Sequence, residues 1–215
     1  MKIAVIGAGN VGSTLAQALI KVPANEIFVG LRQPEDPKYA QLGKNLGGRG
    51  KLLKVADAVK ASQFVILATP WPKTEEAIKA MGDLTGKVIL DCTNPLKSDL
   101  SGLDTQGANS GAEKIASWAG PQAKVFKAFN HTGSMNMAKP DYGNDQKLSM
   151  LVCGDDNAMK PQVFKIVRDA GFEPFDAGPL SAAAMLENLA MLWIHLALKQ
   201  MWGANFGFKV LKRSG

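Results

Sequence analysis

The segment Gly7–Gly12, which reads Gly-Ala-Gly-Asn-Val-Gly, constrains the fold more than any other part of the chain. It follows an apolar run, Lys2–Ile6, that is typical of a buried strand, and it opens a stretch, Val11–Lys21, whose composition favours a helix. Glycines allow a tight turn, close helix–strand packing and approach of a ligand to the backbone, while the N–H groups at the helix start attract an anion. The segment therefore predicts a β-α-β unit that binds the pyrophosphate of a dinucleotide, with contacts from Gly7, Ala8, Gly9, Asn10, Val11 and Gly12.

Short Val- and Ile-rich runs alternate with helix-like stretches along the rest of the chain. Strands are predicted at Lys2–Ile6, Glu26–Leu31, Lys51–Val55, Phe64–Ala68, Lys87–Asp91, Lys124–Ala128, Leu148–Cys153 and Glu173–Asp176. Helices are predicted at Val11–Lys21, Asp57–Ala61, Thr74–Met81, Ser110–Trp118 and Ala158–Ala170. This alternation predicts an α/β fold of the Rossmann type, with a doubly wound, mostly parallel sheet and helices on both faces. We expect residues 1–179 to form the nucleotide-binding domain and residues 180–215 to form a small helical segment, packed on that domain or at a dimer interface.

The end of the second predicted strand indicates which dinucleotide is bound. NAD-binding sites usually carry Asp or Glu there to bind the ribose hydroxyls. This strand ends at Leu31 and Arg32, and a planar guanidinium pairs well with a 2′-phosphate while stacking on adenine. We therefore predict NADP(H), held at Leu31 and Arg32. The alternative is that Arg32 is a solvated loop residue and that Glu35 or Asp36 binds the ribose.

Two further strand ends carry candidate residues, because ligands bind beyond the carboxyl ends of the strands in such sheets. Thr69, Pro70 and Trp71 follow the fourth strand. Trp71 is a candidate pocket wall, although a helix start with proline in its first turn explains the same residues. Asn94 and Pro95 follow the fifth strand, and an Asn-Pro turn presents carbonyl and amide groups that suit a nicotinamide. We predict that all five residues contact the cofactor.

The sixth predicted strand is followed by Asn130 and His131, in a dense run of polar and aromatic side chains. We predict that these two residues orient the molecule that reacts with the cofactor, and His131 is the sharpest single candidate. The long loop 96–109 is rich in Gly, Ser and Asp. Loops of this length commonly cover a ligand, and disorder is the alternative.

The segment from Leu180 to Gly203 is predicted to form one long helix. Residues 185–198 are apolar on nearly every face, which is typical of a buried helix, so this helix either packs against the sheet or meets a second copy of the chain. We interpret His195 as a core residue. The most apolar part, Leu189–Leu198, falls short of the roughly 20 residues that a bilayer span requires, so no membrane association is expected.

Composition argues against several other classes of protein. The 25 Lys and Arg residues and the 19 Asp and Glu residues are scattered, unlike the basic blocks of nucleic-acid-binding proteins. The net charge of +6 therefore suits small anionic ligands or is simply a basic surface. Cys92 and Cys153 have neither disulfide nor metal-ligand spacing, so we predict no metal site and a cytoplasmic location. A chain of 215 residues also leaves no room for a second, equally large helical domain.

The motifs together resemble those of the NADPH-dependent reductases of the deazaflavin coenzyme F420, also called F420-dependent NADP oxidoreductases. The resemblance spans almost the whole chain. Besides the glycine motif and the end of the second strand, it rests on Thr69-Pro70-Trp71, Asn94-Pro95-Leu96, Cys153-Gly154-Asp155-Asp156 and, most specifically, Asp176-Ala177-Gly178-Pro179-Leu180-Ser181. It implies homodimers and hydride transfer between NADPH and a flavin-like ring, either coenzyme F420 or FMN or FAD. The cytoplasmic reductase domains of the eukaryotic metalloreductases look like the same fold, and they pass electrons to a flavin.

The resemblance also implies a role for individual residues. Residues 8–11 hold the pyrophosphate, Arg32 holds the 2′-phosphate, Thr69 and Pro70 lie on the ribose side of the nicotinamide, and residues 94–95 lie on its far side. One position departs from the pattern, because the deazaflavin-using members are expected to carry His where this chain has Asn130. His131 comes one residue later, which leaves the identity of the acceptor open.

Hydride transfer between two stacked rings needs alignment and exclusion of water more than it needs an acid or a base. The sequence fits this chemistry, since it has no Tyr-x-x-x-Lys motif and no recognisable Ser/His/Asp arrangement. We expect an NADP-dependent oxidoreductase. One alternative is an NADP-binding sensor or regulatory protein without catalysis, and another is an imine or hydroxyacid reductase of the same fold. A space beside the nicotinamide that is walled by Trp71, Phe129 and the terminal helix favours the enzyme, and a space filled by them favours the sensor.

Overall fold

The computed structural model describes residues 1–144 and 146–213. Over these residues one eight-stranded sheet has the strand order β3-β2-β1-β4-β5-β6-β7-β8. The strands are β1 Lys2–Ile6, β2 Glu26–Leu31, β3 Gly50–Lys54, β4 Phe64–Leu67, β5 Val88–Asp91, β6 Lys124–Lys127, β7 Ser149–Gly154 and β8 Glu173–Asp176. Neighbouring strands are parallel apart from the β6–β7 pair, which is antiparallel. The predicted doubly wound α/β fold is confirmed.

Helices occupy most of the connections between the strands. The α-helices are α1 Asn10–Leu19, α2 Ala40–Leu46, α3 Val55–Lys60, α4 Thr74–Ala80, α5 Gly111–Ala119, α6 Ser134–Ala138, α7 Lys160–Asp169 and α8 Ala183–Ile194. The short helices α2 and α6 were not predicted, because they carry few apolar residues or are too brief to show a helical period. The other connecting helices lie close to their predicted positions.

Alternating side chains of the strands build a separate hydrophobic core on each face of the sheet. In β1, Ile3 and Val5 join the core that includes α1, α2 and α7. Ala4 and Ile6 join the core on the other face, which includes α3, α4, α5 and α8. Successive residues of a strand point to opposite faces, and a parallel sheet covered on both faces needs apolar residues on both. This is why the central strands read as continuous apolar runs in the sequence.

The C-terminal helix is shorter and more exposed than predicted. Leu180–Ala182 is a 3₁₀ turn, α8 follows it, and His195–Lys199 forms a π-helical turn, so helical structure ends at Lys199 and not at Gly203. His195 is exposed, and so are three apolar residues on the outer side of the helix, Met185, Leu192 and Leu198. Within this chain, the expectations that the helix is buried on all sides and that His195 is a core residue are therefore wrong, while the alternative that the helix meets a second copy of the chain stays a prediction. An apolar sequence does not by itself determine which faces of a helix have a partner within the chain.

The helical segment Leu180–Lys199 has 20 residues and is long and apolar enough to cross a membrane. The argument that this part of the chain is too short for a span is therefore wrong, because the helical conformation extends beyond Leu189–Leu198. Only 39% of its most apolar 18-residue stretch is buried within the protein. One such helix is weak evidence for a membrane span, since the core helix of a soluble protein passes the same test.

Candidate dinucleotide-binding site

A cleft of about 640 Å³ opens at the carboxyl ends of β1, β2 and β4. β1 lies between β2 and β4, so this is the point at which the strand order reverses and where open α/β sheets bind their ligands. Seven of the residues predicted to bind the cofactor line the cleft: Gly7, Ala8, Gly9, Leu31, Arg32, Thr69 and Pro70. The cleft thus brings together the glycine motif, the end of β2 and the turn after β4.

Gly7 and Gly12 are required by the close approach of the chain segments at the base of the cleft. Gly7 has φ 97°, and a Cβ there would lie 2.6 Å from the carbonyl oxygen of Ala68. A Cβ at Gly12 would overlap the carbonyl oxygen of Gly7 itself. Glycine alone fits both positions, because it tolerates positive φ and has no Cβ. The two residues therefore set α1 against β1 and β4 through close packing.

Gly9 differs from these two glycines because it faces open space. A Cβ at Gly9 would have no heavy atom of the described residues within 4 Å. Gly9 is also the N-cap residue of α1, and no side chain of the described chain caps this helix end. The first N–H groups of α1, at Asn10 and Val11, lack intrahelical acceptors by geometry and carry the positive end of the helix dipole. The geometry and the charge of this end of the cleft therefore suit an anion, with room for a phosphate against the backbone.

Three basic side chains line the cleft: Arg32, Lys38 and Lys73. Arg32 Nη1 lies 3.5 Å from Glu76 Oε1, and both side chains are largely exposed, so this pair is weak and the guanidinium is available to a ligand. Lys73 Nζ approaches the same carboxylate at 3.6 Å. Sequence reasoning found Arg32 but missed Lys38 and Lys73. In the sequence, Lys38 and Lys73 are marked only by their positive charge within the segments that follow β2 and β4.

Glu35 and Asp36, the alternative ribose ligands, do not line the cleft. Asp36 instead accepts a hydrogen bond from the backbone N–H of Lys38 at 3.1 Å and pairs with the Lys38 ammonium at 2.8 Å. The hydrogen bond from the Lys38 side chain lowers the pKa of Asp36. The carboxylate thus caps the 3₁₀ turn Pro37–Tyr39 and orients Lys38, which favours the Arg32 interpretation.

The end of the cleft beyond Arg32 has apolar walls formed by Tyr39, Leu42, Val55, Ala77 and Ala80. Apolar walls beside a guanidinium suit an adenine ring, which packs well on both kinds of surface. At the opposite end, Thr69 Oγ1 and Thr74 Oγ1 lie 3.0 Å apart, and Thr74 Oγ1 donates to the carbonyl of Pro70 at 3.2 Å. These bonds hold the turn after β4 in place at the base of α4.

Trp71 does not form a wall of the cleft. It is buried and packs on Trp118 with the ring centroids 5.5 Å apart, between the turn after β4 and α5. Trp71 opens a 3₁₀ turn that leads into α4, with Pro72 in its first turn. The interpretation as a helix start is correct for Trp71 and Pro72.

Asn94 and Asn130 lie together at the ends of β5 and β6, but they are outside the lining of the cleft. Asn94 Nδ2 donates to the carbonyl of Asn130 at 2.8 Å, and Asn130 Nδ2 donates to Asn94 Oδ1 at 3.0 Å. Asn130 Nδ2 also donates to the carbonyl of Leu186 in α8 at 3.0 Å. Pro95 is likewise buried beside them. This part of the predicted site is therefore bonded to the C-terminal helix instead of facing the cleft.

His131 is placed in the protein interior, away from the cleft. It is 2% exposed, and its Nε2 accepts a hydrogen bond from the backbone N–H of Leu151 at 3.0 Å. Burial lowers the pKa of His131 to about 4, so the imidazole is neutral at physiological pH. The prediction that His131 touches the acceptor is corrected by this placement. Phe129, two residues earlier, has a left-handed backbone with φ 64°, and it is buried together with Asn130 and His131.

Comparison with known proteins identifies the family. Residues 2–95 match the family described as NADP oxidoreductase, coenzyme F420-dependent. Over its whole length the chain is similar to a solved structure, a proposed F420-dependent NADP-reductase from Arthrobacter sp. FB24. The two chains are 31% identical with a TM-score of 0.86, and the similarity covers 99% of this chain and 100% of that one. The chain belongs to the F420-dependent NADP oxidoreductase family. Membership in this NADP(H)-binding family agrees with the chemistry of the cleft.

More distant relatives extend this result. The metalloreductase STEAP3 of Rattus norvegicus is 28% identical over 191 residues, which cover 88% of this chain. This chain spans about a third (36%) of the length of that relative. An imine reductase from Aspergillus terreus, solved in complex with NADPH4, is 20% identical with a TM-score of 0.68 over 93% of this chain and 63% of that one. At this identity the likeness shows the fold alone, which is that of NAD(P)-dependent oxidoreductases.

Proposed function

We propose that the protein transfers a hydride between NADPH and a flavin-like acceptor, either coenzyme F420 or a flavin. The observation that carries the proposal is the cleft at β1, β2 and β4. Its uncapped helix end, the open space at Gly9 and its three basic side chains fit a pyrophosphate and a 2′-phosphate. Bound NADPH supplies a hydride, and family membership supports an oxidoreductase that uses it.

Different residues of this site bind different parts of the cofactor. The N–H groups of Asn10 and Val11 bind the pyrophosphate, and the guanidinium of Arg32 pairs with the 2′-phosphate, with Lys38 and Lys73 adding positive charge. The apolar slot around Val55 holds the adenine. The nicotinamide then extends towards the ends of β4 and β5, where the acceptor ring stacks against it. No side chain needs to move a proton for this reaction, because alignment of the two rings and exclusion of water are sufficient.

A second candidate function is an NADP-binding sensor or regulatory protein. The observation that favours it is the closed end of β5 and β6, where Asn94 and Asn130 bond to each other and to α8. Trp71 and Phe129 are also packed inside the protein. A hydride acceptor needs space beside the nicotinamide, so catalysis requires that this end accommodate the second ring.

The experiment that tests the proposal measures NADPH oxidation by the purified protein with coenzyme F420, and separately with FMN and FAD, under the same conditions. Saturable turnover with F420 and little with the flavins supports the deazaflavin as acceptor, and turnover with FMN or FAD alone supports a flavin reductase. Absence of turnover with all three, combined with saturable NADPH binding, contradicts the proposal and favours the sensor. NADH at the same concentrations serves as the matched control for the 2′-phosphate.

A further inference from the structure

Three charged side chains form a fully buried network directly below the Asn94–Asn130 pair. Lys127 Nζ lies 2.7 Å from Asp91 Oδ2 and 2.9 Å from Glu187 Oε1, and all three side chains have an exposure of 0%. Lys127 Nζ also donates to the carbonyl of Thr93 at 2.6 Å, so each of its three protons has an acceptor. Asp91 and Lys127 are register partners at the ends of the neighbouring strands β5 and β6, and Glu187 comes from α8. The network therefore joins two strand ends to the C-terminal helix.

Glu187 connects this network to a second helix. Its Oε2 accepts the backbone N–H of Gly111 at 3.0 Å, and its Oε1 accepts that of Ala112 at 3.1 Å, at the start of α5. The positive end of the α5 dipole and the Lys127 ammonium together balance the two buried carboxylates. Burial by itself would lower the pKa of Lys127, but the attraction of Asp91 and Glu187 outweighs it and raises the pKa, so the ammonium remains charged.

The network and the amide pair form two successive rungs between the same three elements. The lower rung is Asp91, Lys127 and Glu187. The upper rung is Asn94, Asn130 and the carbonyl of Leu186, each of the two asparagines three residues beyond the charged residue of its strand. Leu186 and Glu187 are adjacent in α8. A shift of Glu187 therefore moves the acceptor of the upper rung with it.

Glu187 also reaches Pro95 through Gly111. A Cβ at Gly111 would lie 3.1 Å from Glu187 Oε1 and 3.1 Å from the ring of Pro95, so the three groups are closely packed and a side chain there would require its neighbours to shift. Gly111 thus lies between the Glu187 carboxylate and the ring of Pro95, while the upper rung holds Asn94.

We propose that Glu187 is a positioning residue, which sets the place of Asn94, Pro95 and Asn130 relative to α8 at the edge of the sheet where the nicotinamide and the acceptor meet. The inference rests on the proposed function, because it assigns the β5–β6 edge to the reacting half of the cofactor. Glu187 does not touch a substrate. It acts through Lys127, through the start of α5 and through the helix that carries Leu186.

Glu187→Gln is the variant that tests this proposal. The carboxylate accepts three hydrogen bonds, from Lys127, Gly111 and Ala112. A carboxamide has a single oxygen and turns an N–H₂ group towards one of these donors, so at least one bond is lost while the size of the side chain is kept. Asn188→Ala is the matched control on the same helix, because Asn188 is exposed and its side chain, within residues 1–144 and 146–213, bonds to the carbonyl of Ala184 alone.

One kinetic constant and one dissociation constant separate positioning from a general loosening of the structure. We expect the kcat/KM for the acceptor, F420 or FMN, to fall at least about tenfold in Glu187→Gln, which corresponds to about 1.4 kcal/mol. The dissociation constant of adenosine 2′,5′-bisphosphate, which lacks the nicotinamide, should stay within about twofold of the wild-type value, and Asn188→Ala should change neither quantity. Unchanged acceptor kinetics, or an equal loss of both quantities, would overturn the proposal.

A further readout distinguishes failure of this proposal from failure of the proposed function. If the wild-type protein turns over neither acceptor, the proposed function fails, and the nicotinamide fluorescence of bound NADPH becomes the test. A spectrum changed in Glu187→Gln but not in Asn188→Ala supports positioning, and an unchanged spectrum rejects it. If Glu187→Gln does not fold, Glu187→Asp, which keeps the charge and shortens the side chain, takes its place with the same expectations. If neither variant folds, the network serves folding alone and the positioning role is rejected.

Discussion

Two polar regions lie at the same edge of the sheet and differ in where their polar groups find partners. In the cleft at β1, β2 and β4, the start of α1 has no side-chain cap, and the partner of Arg32 among the described residues is an exposed carboxylate at 3.5 Å. At the ends of β5 and β6, by contrast, Lys127 is fully buried and bonded to three acceptors within the chain. Polar groups that lack partners in the chain are available to a ligand, whereas polar groups already paired hold the scaffold in place. The comparison therefore assigns ligand binding to the first region and support to the second.

The largest expected effect is on stability and comes from the buried region. Lys127→Met leaves Asp91 and Glu187 buried without their ammonium partner, and breaking such a network costs about 3–5 kcal/mol of unfolding free energy. Urea unfolding followed by circular dichroism measures this change. Lys79→Met, which removes an exposed pair with Glu75 on α4, should produce only a small fraction of it. Equal effects of the two substitutions would remove the distinction between the regions.

The next effect is on cofactor choice and comes from the open region. Arg32→Ala removes the guanidinium that pairs with the 2′-phosphate, so the dissociation constant of NADPH should rise about 10- to 100-fold while that of NADH changes little. Fluorescence titration of the nicotinamide measures both constants. Arg168→Ala, at an exposed arginine of α7 distant from the cleft, is the control. Equal losses for the two dinucleotides would show that Arg32 does not bind the 2′-phosphate.

A third effect is the dependence of stability on pH, caused by the buried His131. Its pKa in the folded protein is lowered to about 4 from an ordinary value of 6.5, so the unfolded chain binds the proton more readily between these values. Folding stability is therefore complete above pH 6.5 and falls as the pH drops towards 4, by about 2 kcal/mol between pH 7 and pH 5. His131→Gln keeps an acceptor for the N–H of Leu151 and does not titrate. It should flatten this part of the pH profile, and an unchanged slope would assign the dependence to another group.

The smallest effect is expected for Gly9→Ala, which is compared with Gly12→Ala in the same motif. Gly9→Ala places a methyl group in open space, so the unfolding free energy should barely change while NADPH and NADH both bind about tenfold more weakly, because the pyrophosphate approaches the backbone there. Gly12→Ala should instead destabilise the fold, since its Cβ would overlap the carbonyl of Gly7. Measuring stability and affinity for both variants sharpens the contrast between binding and packing. A large loss of stability in Gly9→Ala would contradict it.

Much of the fold could be predicted because its information is local. The runs of Val and Ile in β1 and β4 and the glycine motif specify strands and a turn within a few neighbouring residues. The end of the C-terminal helix and its exposed face at Met185 could not be predicted, since burial depends on which parts of the sheet the helix meets. Apolar composition indicates only that a helix is able to be buried.

The candidate site divides in the same way. Arg32 and Thr69 were found at the cleft because strand order alone decides which strand ends meet there. The buried network was missed, since a charged residue at a strand end normally lies in solvent. Two features of the sequence nevertheless indicated buried charges. Lys127 lies between Phe126 and Ala128, and Glu187 lies within an apolar helix. His131 was predicted to face a ligand because a histidine after a strand end is usually a polar loop residue, and the sequence does not show that its ring accepts the N–H of Leu151 in the interior.

The central claim is that the open cleft binds NADP(H) through its 2′-phosphate and pyrophosphate. The most direct test is a titration of the wild-type protein with NADPH and with NADH, followed by the fluorescence of the bound nicotinamide. Our account predicts saturable binding of both and a dissociation constant for NADPH at least about tenfold lower, because charge-assisted bonds to the extra phosphate contribute about 1.5–3 kcal/mol. Equal affinities, or tighter binding of NADH, would contradict it.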